Sequence, residues 1–517
     1  MKHGGKNPDK ELYARLRILT CEQLWEEEVP RFDRATPEER MRNVSVIRAV
    51  GVVFSESGTE EQKDVVRPWL HRLLQDPAEK IRRYAMAAMP KIGAGRAEET
   101  ELLSLWKTTP LEREKKFLGE ALNKIGGSAT LKLLQQSPAP LRTQQKVQAN
   151  VARNERPSVV RMDRLLADFS GLRIHLRGRS GLEEIVRQEI EERSETRRKF
   201  RVTEVRKGLV VIVPITPFSL ADLYVLRCFD TLGFVLGDVS AQNDADATEA
   251  FASVIASTLS QRMLETFTEG SIRYRLEFVA KGHQRGAVRQ IADRAYALAP
   301  KILNDARNAP WAIDIHPAGA KSSVELRPRL TPDPRLFFRQ QDVPAASHPP
   351  LAACMARLSG KVDNEIIWDP FCGSGLELIE RSLLGGVRQV FGSDRSEEAI
   401  AISKANFAAA NLPSVKSRFT CCDFRDFGRA EGLGPNSLSL IITNPPMGKR
   451  VPIRDLDRLI ADLFQTAATM LKPGGRLVFA NPLRIEPRER TLKLQTRRVV
   501  DFGGFNCRLE MYCKEAR

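Results

Sequence analysis

Apolar residues recur at helical spacing through the first quarter of the chain, and alternating or continuous apolar runs take over after it. From Glu11 to about Gln136 the pattern predicts only helices. Residues 66–93 divide at Asp76-Pro77, where proline ends one helix and opens the next. Ile81, Tyr84, Ala85, Ala88 and Met89 then line one face, and FLGEALNKIGG at 117–127 echoes the closing Ile-Gly of that helix. Residues 137–158, rich in Pro, Arg and Gln, lack a sustained apolar face, so a linker is expected over 141–168.

The next two units mix strands with helices. GLRIHLRGRSGLEEIVRQEI at 171–190 reads as an alternating strand, a turn and a helix, and 202–215 as paired strands; a small ferredoxin-like α+β module over 169–240 follows. A second module, over 241–332, contains the helix-strand-helix-strand-strand pattern that ends in WAIDIH and SSVELRPRL. Its Arg273, Arg275, Lys281, Arg285 and Arg289 are candidate phosphate contacts, each with a solvated surface charge as the plainer alternative. A connector at 333–360 leads into the last unit, 361–517.

That unit opens on IIWDPFCGSGLELIE, residues 366–380: a buried strand, a glycine turn, then a helix with Leu376, Ile379 and Leu383 on one face and Glu377, Glu380 and Arg381 facing away. This is how an open parallel sheet offers backbone N–H groups to a ligand. A dinucleotide fingerprint needs glycine where Leu378 stands, and a P-loop needs Gly-Lys-Ser/Thr where Gly448-Lys449 is followed by Arg450. Three further strands are expected at 387–394, 418–427 and 437–448, ending near Asp394, Asp423 and Asn444. A fifth strand follows the Gly-Gly turn at 474–475, and 495–514 closes as an antiparallel hairpin. Asp394, 19 residues after Gly375, has the offset of a carboxylate that accepts from ribose hydroxyls, with helix capping as the alternative.

Length and charge sharpen this picture. A chain of 517 residues implies three or four domains. An excess of 81 Lys and Arg over 65 Asp and Glu, formally +16, favours a polyanionic partner such as nucleic acid. Eight cysteines form no Cys-x-x-Cys pair and there are only six histidines, so no metal site is expected. No secretory or membrane-spanning stretch is recognisable, and a reducing, cytoplasmic location without membrane contact is expected.

Asp369-Pro370-Phe371-Cys372-Gly373-Ser374-Gly375 resembles motif I of class I S-adenosylmethionine-dependent methyltransferases, and Asn444-Pro445-Pro446 resembles motif IV of those that act on exocyclic base amines. Gly181-Leu182-Glu183-Glu184, the strand order and the connector resemble the THUMP-containing RNA methyltransferases, while the first 140 residues are similar to HEAT-type helical pairs. The resemblance implies a Rossmann-like seven-stranded catalytic domain preceded by ferredoxin-like and THUMP-like RNA-binding modules and a HEAT-like region able to take a protein partner. It also implies S-adenosylmethionine as cofactor, held by Asp369, Phe371, Gly373, Ser374, Gly375, Asp394, Asp423 and Asn444, with Asp426 a rival to Asp423 for the adenine amine.

The implied reaction is methylation of an exocyclic amine, guanine N2 in transfer RNA or ribosomal RNA, by Asn444, Pro445, Pro446 and Met447. A base amine is a weak nucleophile because its lone pair is delocalised, and Asn444 Oδ1 with the Pro445 carbonyl can accept its two N–H bonds and aim it. Met447 departs from the aromatic residue usual after Asn-Pro-Pro. An adenine-N6 enzyme and a decayed, RNA-binding relative are the alternatives.

Overall fold

The computed structural model describes residues 8–516 apart from 94–95, 136–140, 155–157, 241–243, 280–283, 319–320, 345 and 449–454. Helices from Pro8–Leu16 to Ser128–Gln135 pack around one apolar core that includes Leu24, Phe54, Trp69, Ile81, Met89 and Leu118. Three of them start on capping boxes, in which Thr20, Thr36 and Thr59 each accept the backbone N–H three residues on while Gln23, Glu39 and Gln62 reach back. The edge-to-face cluster of Trp25, Phe54, Trp69 and Phe32 fixes how these helices cross.

The stretch expected as a linker is largely helical. Helix α1, Leu141–Asn154, buries Val147 and Ala152, its Asn150 Nδ2 donates to the Asn123 carbonyl at 3.1 Å, and its Gln148 accepts from the Tyr296 hydroxyl at 2.5 Å. It therefore touches both the helical region and the unit that follows. Its apolar positions are few because much of what it buries is polar and hydrogen-bonded, which composition alone does not reveal.

The two middle modules share one sheet. Strands β1 (Arg173–Arg177), β2 (Phe200–Arg206), β3 (Leu209–Pro214), β4 (Thr231–Val239), β5 (Arg273–Phe278), β6 (Leu303–Asn304), β7 (Trp311–Ala318) and β8 (Lys321–Pro328) lie in the order β2-β3-β1-β4-β8-β7-β5-β6. The seam is the antiparallel pair of β4 and β8, with Phe234 opposite Leu326. Beside it Glu325, buried, pairs with His175 and with Arg177 from β1, so opposite charges from both halves meet in the sheet. Among the proposed phosphate contacts, Arg273 is buried in an ion pair with Asp305 at 3.0 Å and is not on the surface. Arg275 pairs with Glu277, Arg289 is exposed, and Lys281 lies outside the described residues.

After helix α2, Pro349–Leu358, comes the α/β unit: β9 (Glu365–Asp369), α3 (Leu376–Leu383), β10 (Val387–Asp394), α4 (Glu397–Ala409), β11 (Lys416–Cys421), β12 (Leu438–Thr443), α5 (Leu456–Met470), β13 (Leu471–Asn481), β14 (Leu492–Asp501) and β15 (Asn506–Lys514). The sheet order is β11-β10-β9-β12-β13-β15-β14, parallel up to β13 and antiparallel beyond. The near-continuous apolar character of β12, buried at every position, reflects helices on both faces.

Helix α3 departs from its expected pattern. Glu377, Glu380 and Arg381, placed by periodicity on a solvent face, are all buried. Chain outside the sheet covers two of them, Arg227 from the middle unit pairing with Glu380 at 2.6 Å and Ser347 of the connector donating to Glu377, while Arg381 pairs with Glu365 of the sheet strand β9. One apolar core runs through the middle unit and this one, from Ile174 and Phe234 to Leu376 and Ile442.

Candidate active site

Strands β11, β10, β9 and β12 are neighbours, and their carboxyl ends share one edge. Every candidate site residue read from the sequence follows one of those four ends. After β9 the chain turns through Gly373 at φ 50° and Gly375 at φ 81°, left-handed conformations that a Cβ would strain. Ser403 on α4 closes over this turn, donating to the Gly373 carbonyl at 2.8 Å.

Asp394 at the end of β10 accepts from Gly373 N at 3.1 Å with one oxygen and from Ser396 N at 3.0 Å with the other. It thus ties the second strand to the turn and also braces the start of α4. A carboxylate has about four acceptor sites, so capacity for a further donor remains. Past β11, Asp423 is half-buried and accepts from Arg425, whereas Asp426 is exposed and pairs with Arg429. The rings of Phe371 and Phe424 stand 5.0 Å apart between the first and third strand ends.

At the end of β12, Thr443 donates to Asp369 Oδ1 at 2.5 Å, and Phe371 N donates to the same oxygen at 3.0 Å. Asp369 Oδ2 is buried and, among the described residues, has no hydrogen-bond partner. Burial, reinforced by the facing Glu377 carboxylate, pushes Asp369 well above the usual carboxylate range. One residue further on, Asn444 Nδ2 donates to Ser347 Oγ at 2.8 Å, and Asn444 Oδ1 is buried and, among the described residues, unpartnered. An unsatisfied buried oxygen costs about 1–3 kcal/mol, so two at adjacent strand ends are sites for donors from a ligand. A ligand with a cationic nitrogen for Asp369 and a second amine for Asn444 matches them.

Pro445 is buried, and Pro446 and Met447 are half-buried. Arg484, Arg488 and Arg490 are exposed on the loop after β13, along the same edge; Arg450 and Arg454 lie outside the described residues. A cavity of about 240 Å³ lined by Arg227, Asp230, Arg335 and His348 lies elsewhere, and none of the candidate residues lines it.

Sequence reasoning missed three residues that build the site, Thr443, Ser347 and Glu377, and a fourth, Asn406, matches a family position but carries no independent signal in the sequence. Thr443 and Ser347 carry the hydrogen bonds just described. Asn406 on α4 accepts from Gln340 N and Gln341 N at 2.9 and 3.2 Å and donates to the Gln341 and Ser374 carbonyls at 2.9 and 3.0 Å, stapling the connector to the glycine turn. Glu377 was read as a solvated charge. The only available signal was a polar residue flanked by apolar helix, which surface positions show equally.

A parallel sheet in this order, with a glycine turn after its first strand and an Asn-Pro-Pro turn after its fourth, defines a class I methyltransferase-like fold. Residues 337–509 match the family model described as RMKL-like, methyltransferase domain. A probable tRNA (guanine(10)-N2)-dimethyltransferase of Methanothermococcus thermolithotrophicus is 30% identical over 139 residues, which is 26% of this chain and 81% of that protein. The tRNA (guanine(10)-N2)-dimethyltransferase of Methanothermobacter thermautotrophicus is 31% identical over 156 residues, 29% of this chain and 42% of that one. The crystal structure of TrmN from Thermus thermophilus superposes with a TM-score of 0.54 at 21% identity, covering 66% of this chain and 99% of its own, a likeness of fold. The chain belongs to the RMKL-like methyltransferase family.

Proposed function

We propose that the protein transfers the methyl group of S-adenosylmethionine to the exocyclic N2 amine of a guanine in RNA, with transfer RNA as substrate. The observation that carries this reading is Asn444 Oδ1, a buried acceptor without a partner among the described residues at the end of β12, one residue from the Thr443–Asp369 bond. The names of the two archaeal relatives favour guanine N2 and transfer RNA. The formal charge of +16 suits a phosphate backbone.

In this reading Asp369 Oδ2 receives the ammonium of the cofactor's methionine portion, which satisfies a buried oxygen that otherwise lacks a donor. Asp394 accepts from the ribose, Asp423 from the adenine amine, and Phe371 with Phe424 borders the adenine ring. The backbone of Gly373 and Gly375, which carries no side chain, would border the cofactor, with Ser374 between them. When bound, the cofactor supplies a methyl group already activated on a sulfonium.

The protein's part is orientation. Asn444 Oδ1 and the Pro445 carbonyl accept from the guanine NH2, so that its nitrogen faces the methyl carbon. On methylation the amine would give up one proton to solvent. Such alignment is worth roughly 7–11 kcal/mol and needs no strong base. Met447 packs on the base flipped from its stack, and the exposed Arg484, Arg488 and Arg490 meet phosphates. The middle unit acts as a ferredoxin-like and THUMP-like RNA-binding part and the N-terminal helices as a HEAT-like surface for a protein partner, in a cytoplasmic enzyme. No helix among the described residues is long and apolar enough to cross a membrane.

Incubation of transfer RNA with the protein and methyl-labelled cofactor, followed by nucleoside analysis, tests the assignment. N2-methylguanosine is the expected product. N6-methyladenosine would identify an adenine enzyme, and labelled cofactor that binds without transfer would identify a decayed one. Asn444→Ala is expected to lower kcat by about 10²–10³, the cost of losing a positioned polar group.

A further inference from the structure

We propose that Ser347 and Glu377 form a positioning pair that sets which way round the Asn444 side-chain amide sits, so that it meets the substrate amine with its oxygen. This rests on the reading of Asn444 as the acceptor for that amine, and concerns residues outside both recognisable motifs.

An asparagine amide has two ends of nearly equal size and opposite hydrogen-bonding sense. Turned over, it would face the substrate NH2 with an NH2 of its own, and the orienting bond would become a repulsion. The site therefore needs a device that distinguishes the ends. Asn444 Nδ2 lies 2.8 Å from Ser347 Oγ, but a serine hydroxyl by itself donates or accepts and cannot choose between them.

Glu377 makes the choice. The Ser347 hydroxyl is also hydrogen-bonded to Glu377 Oε1, and an ionised carboxylate only accepts. The single hydroxyl proton of Ser347 is thus committed to Glu377. What Ser347 offers to Asn444 is a lone pair, which only the amide N–H end can satisfy. Oδ1 is left facing away from Ser347, buried and, among the described residues, without a partner, ready to accept.

The burial of Glu377 is otherwise hard to account for. It is 3% exposed, and among the described residues no lysine or arginine pairs with it, in contrast to Glu380 three residues on, which Arg227 neutralises. An unpaired buried carboxylate is costly, and the start of α3 offsets the cost only in part. Burial raises the carboxyls of both Glu377 and Asp369; donation from Ser347 opposes that rise at Glu377, whereas Glu377's charge adds to it at Asp369, whose Oδ2 has no donor among the described residues, so the pair's charge is assigned to Glu377.

The test compares Ser347→Ala, Glu377→Gln, the double variant and Ser347→Thr for kcat, KM for transfer RNA, calorimetric affinity for S-adenosylmethionine and melting temperature. A glutamine keeps the size but presents either a donor or an acceptor to Ser347. Each of the first two variants should lower kcat by about tenfold or more, since one charge-assisted hydrogen bond is lost at the reacting end; Ser347→Ala should leave cofactor affinity little changed, whereas Glu377→Gln, which removes the charge beside Asp369, should raise it. The double variant should be no worse than the worse single one, and Ser347→Thr, which keeps the hydroxyl, should recover most of the rate. Single effects that multiply, or rates that do not fall, would overturn the pair. If the wild-type protein methylates no RNA, the functional reading fails on its own. The pair is then judged on the free protein labelled with 15N-asparagine, where the Asn444 side-chain NH2 should be protected from exchange and lose that protection in Ser347→Ala; equal protection in both would sink it.

Discussion

Thr443 donates its hydroxyl to Asp369 at 2.5 Å, across the seam between the fourth and first strands of the parallel sheet. The bond joins the residue before Asn444 to the residue that opens the glycine turn, so the two halves of the candidate site are held in register by one buried contact. Thr443→Val preserves shape and removes the donor. A loss of about 0.5–1.5 kcal/mol of stability is expected, the net contribution of one buried hydrogen bond to an oxygen that keeps its donor in Phe371 N, whereas Thr443→Ser should lose less. Denaturant unfolding measures both.

Asp369 is predicted to trade stability for cofactor binding. Its folded-state pKa is raised by burial and by Glu377, so the folded protein holds the proton more tightly than the unfolded chain. Its contribution to stability is fully present below the unfolded value of about 3.9 and is lost as pH rises through the folded value. Asp369→Asn should therefore melt at a higher temperature than wild type by a margin that widens with pH, while binding S-adenosylmethionine more weakly. In the wild type, cofactor affinity should increase with pH across the same window as the carboxyl ionises to meet the ammonium. Calorimetry in buffers of different ionisation enthalpy should register proton release on binding; uptake would contradict the assignment.

Asn406 makes four hydrogen bonds from a buried position, two of them to the backbone N–H groups of Gln340 and Gln341. Asn406→Ala should free the connector from the glycine turn. Hydrogen exchange at Gln340 and Gln341 is expected to accelerate, and cofactor affinity to fall, with α4 itself still folded because its other buried residues remain. Unchanged exchange at those two amides would show that the connector is held by other contacts.

Met447 stands half-buried beyond Asn-Pro-Pro. A thioether packs on a base less well than an aromatic face, whose stacking contributes about 1–3 kcal/mol. Met447→Phe should lower KM for RNA with little change in kcat, and Met447→Ala should raise it. Steady-state kinetics at saturating cofactor separates the two parameters.

Local pattern carried much of this protein. The helical period before residue 136, the period-two runs of the middle unit and the strands that end at Asp369 and Asp394 and just before Asp423 and Asn444 are all visible in the chain, because periodicity, turn residues and strand-end chemistry are properties of neighbouring residues. The same locality explains the failures. Helix 141–154 buries polar residues that resemble a linker's composition, and Arg273 looks like a phosphate contact until Asp305, 32 residues away, is found beside it.

Tertiary structure alone decided the rest. The sheet shared by β4 and β8 joins segments that the pattern divides, since strand pairing across distant segments leaves no period in either one. Burial of Glu377 and Glu380 required chain outside the sheet, contributed by Ser347 and Arg227, and that of Arg381 the Glu365 carboxylate on β9. The direction of the Asn444 amide is the clearest case. Its identity and place are written in Asn-Pro-Pro, but which atom faces the substrate depends on a hydroxyl 97 residues earlier and a carboxylate beyond it, and hydrogen-bond direction exists only once those groups meet.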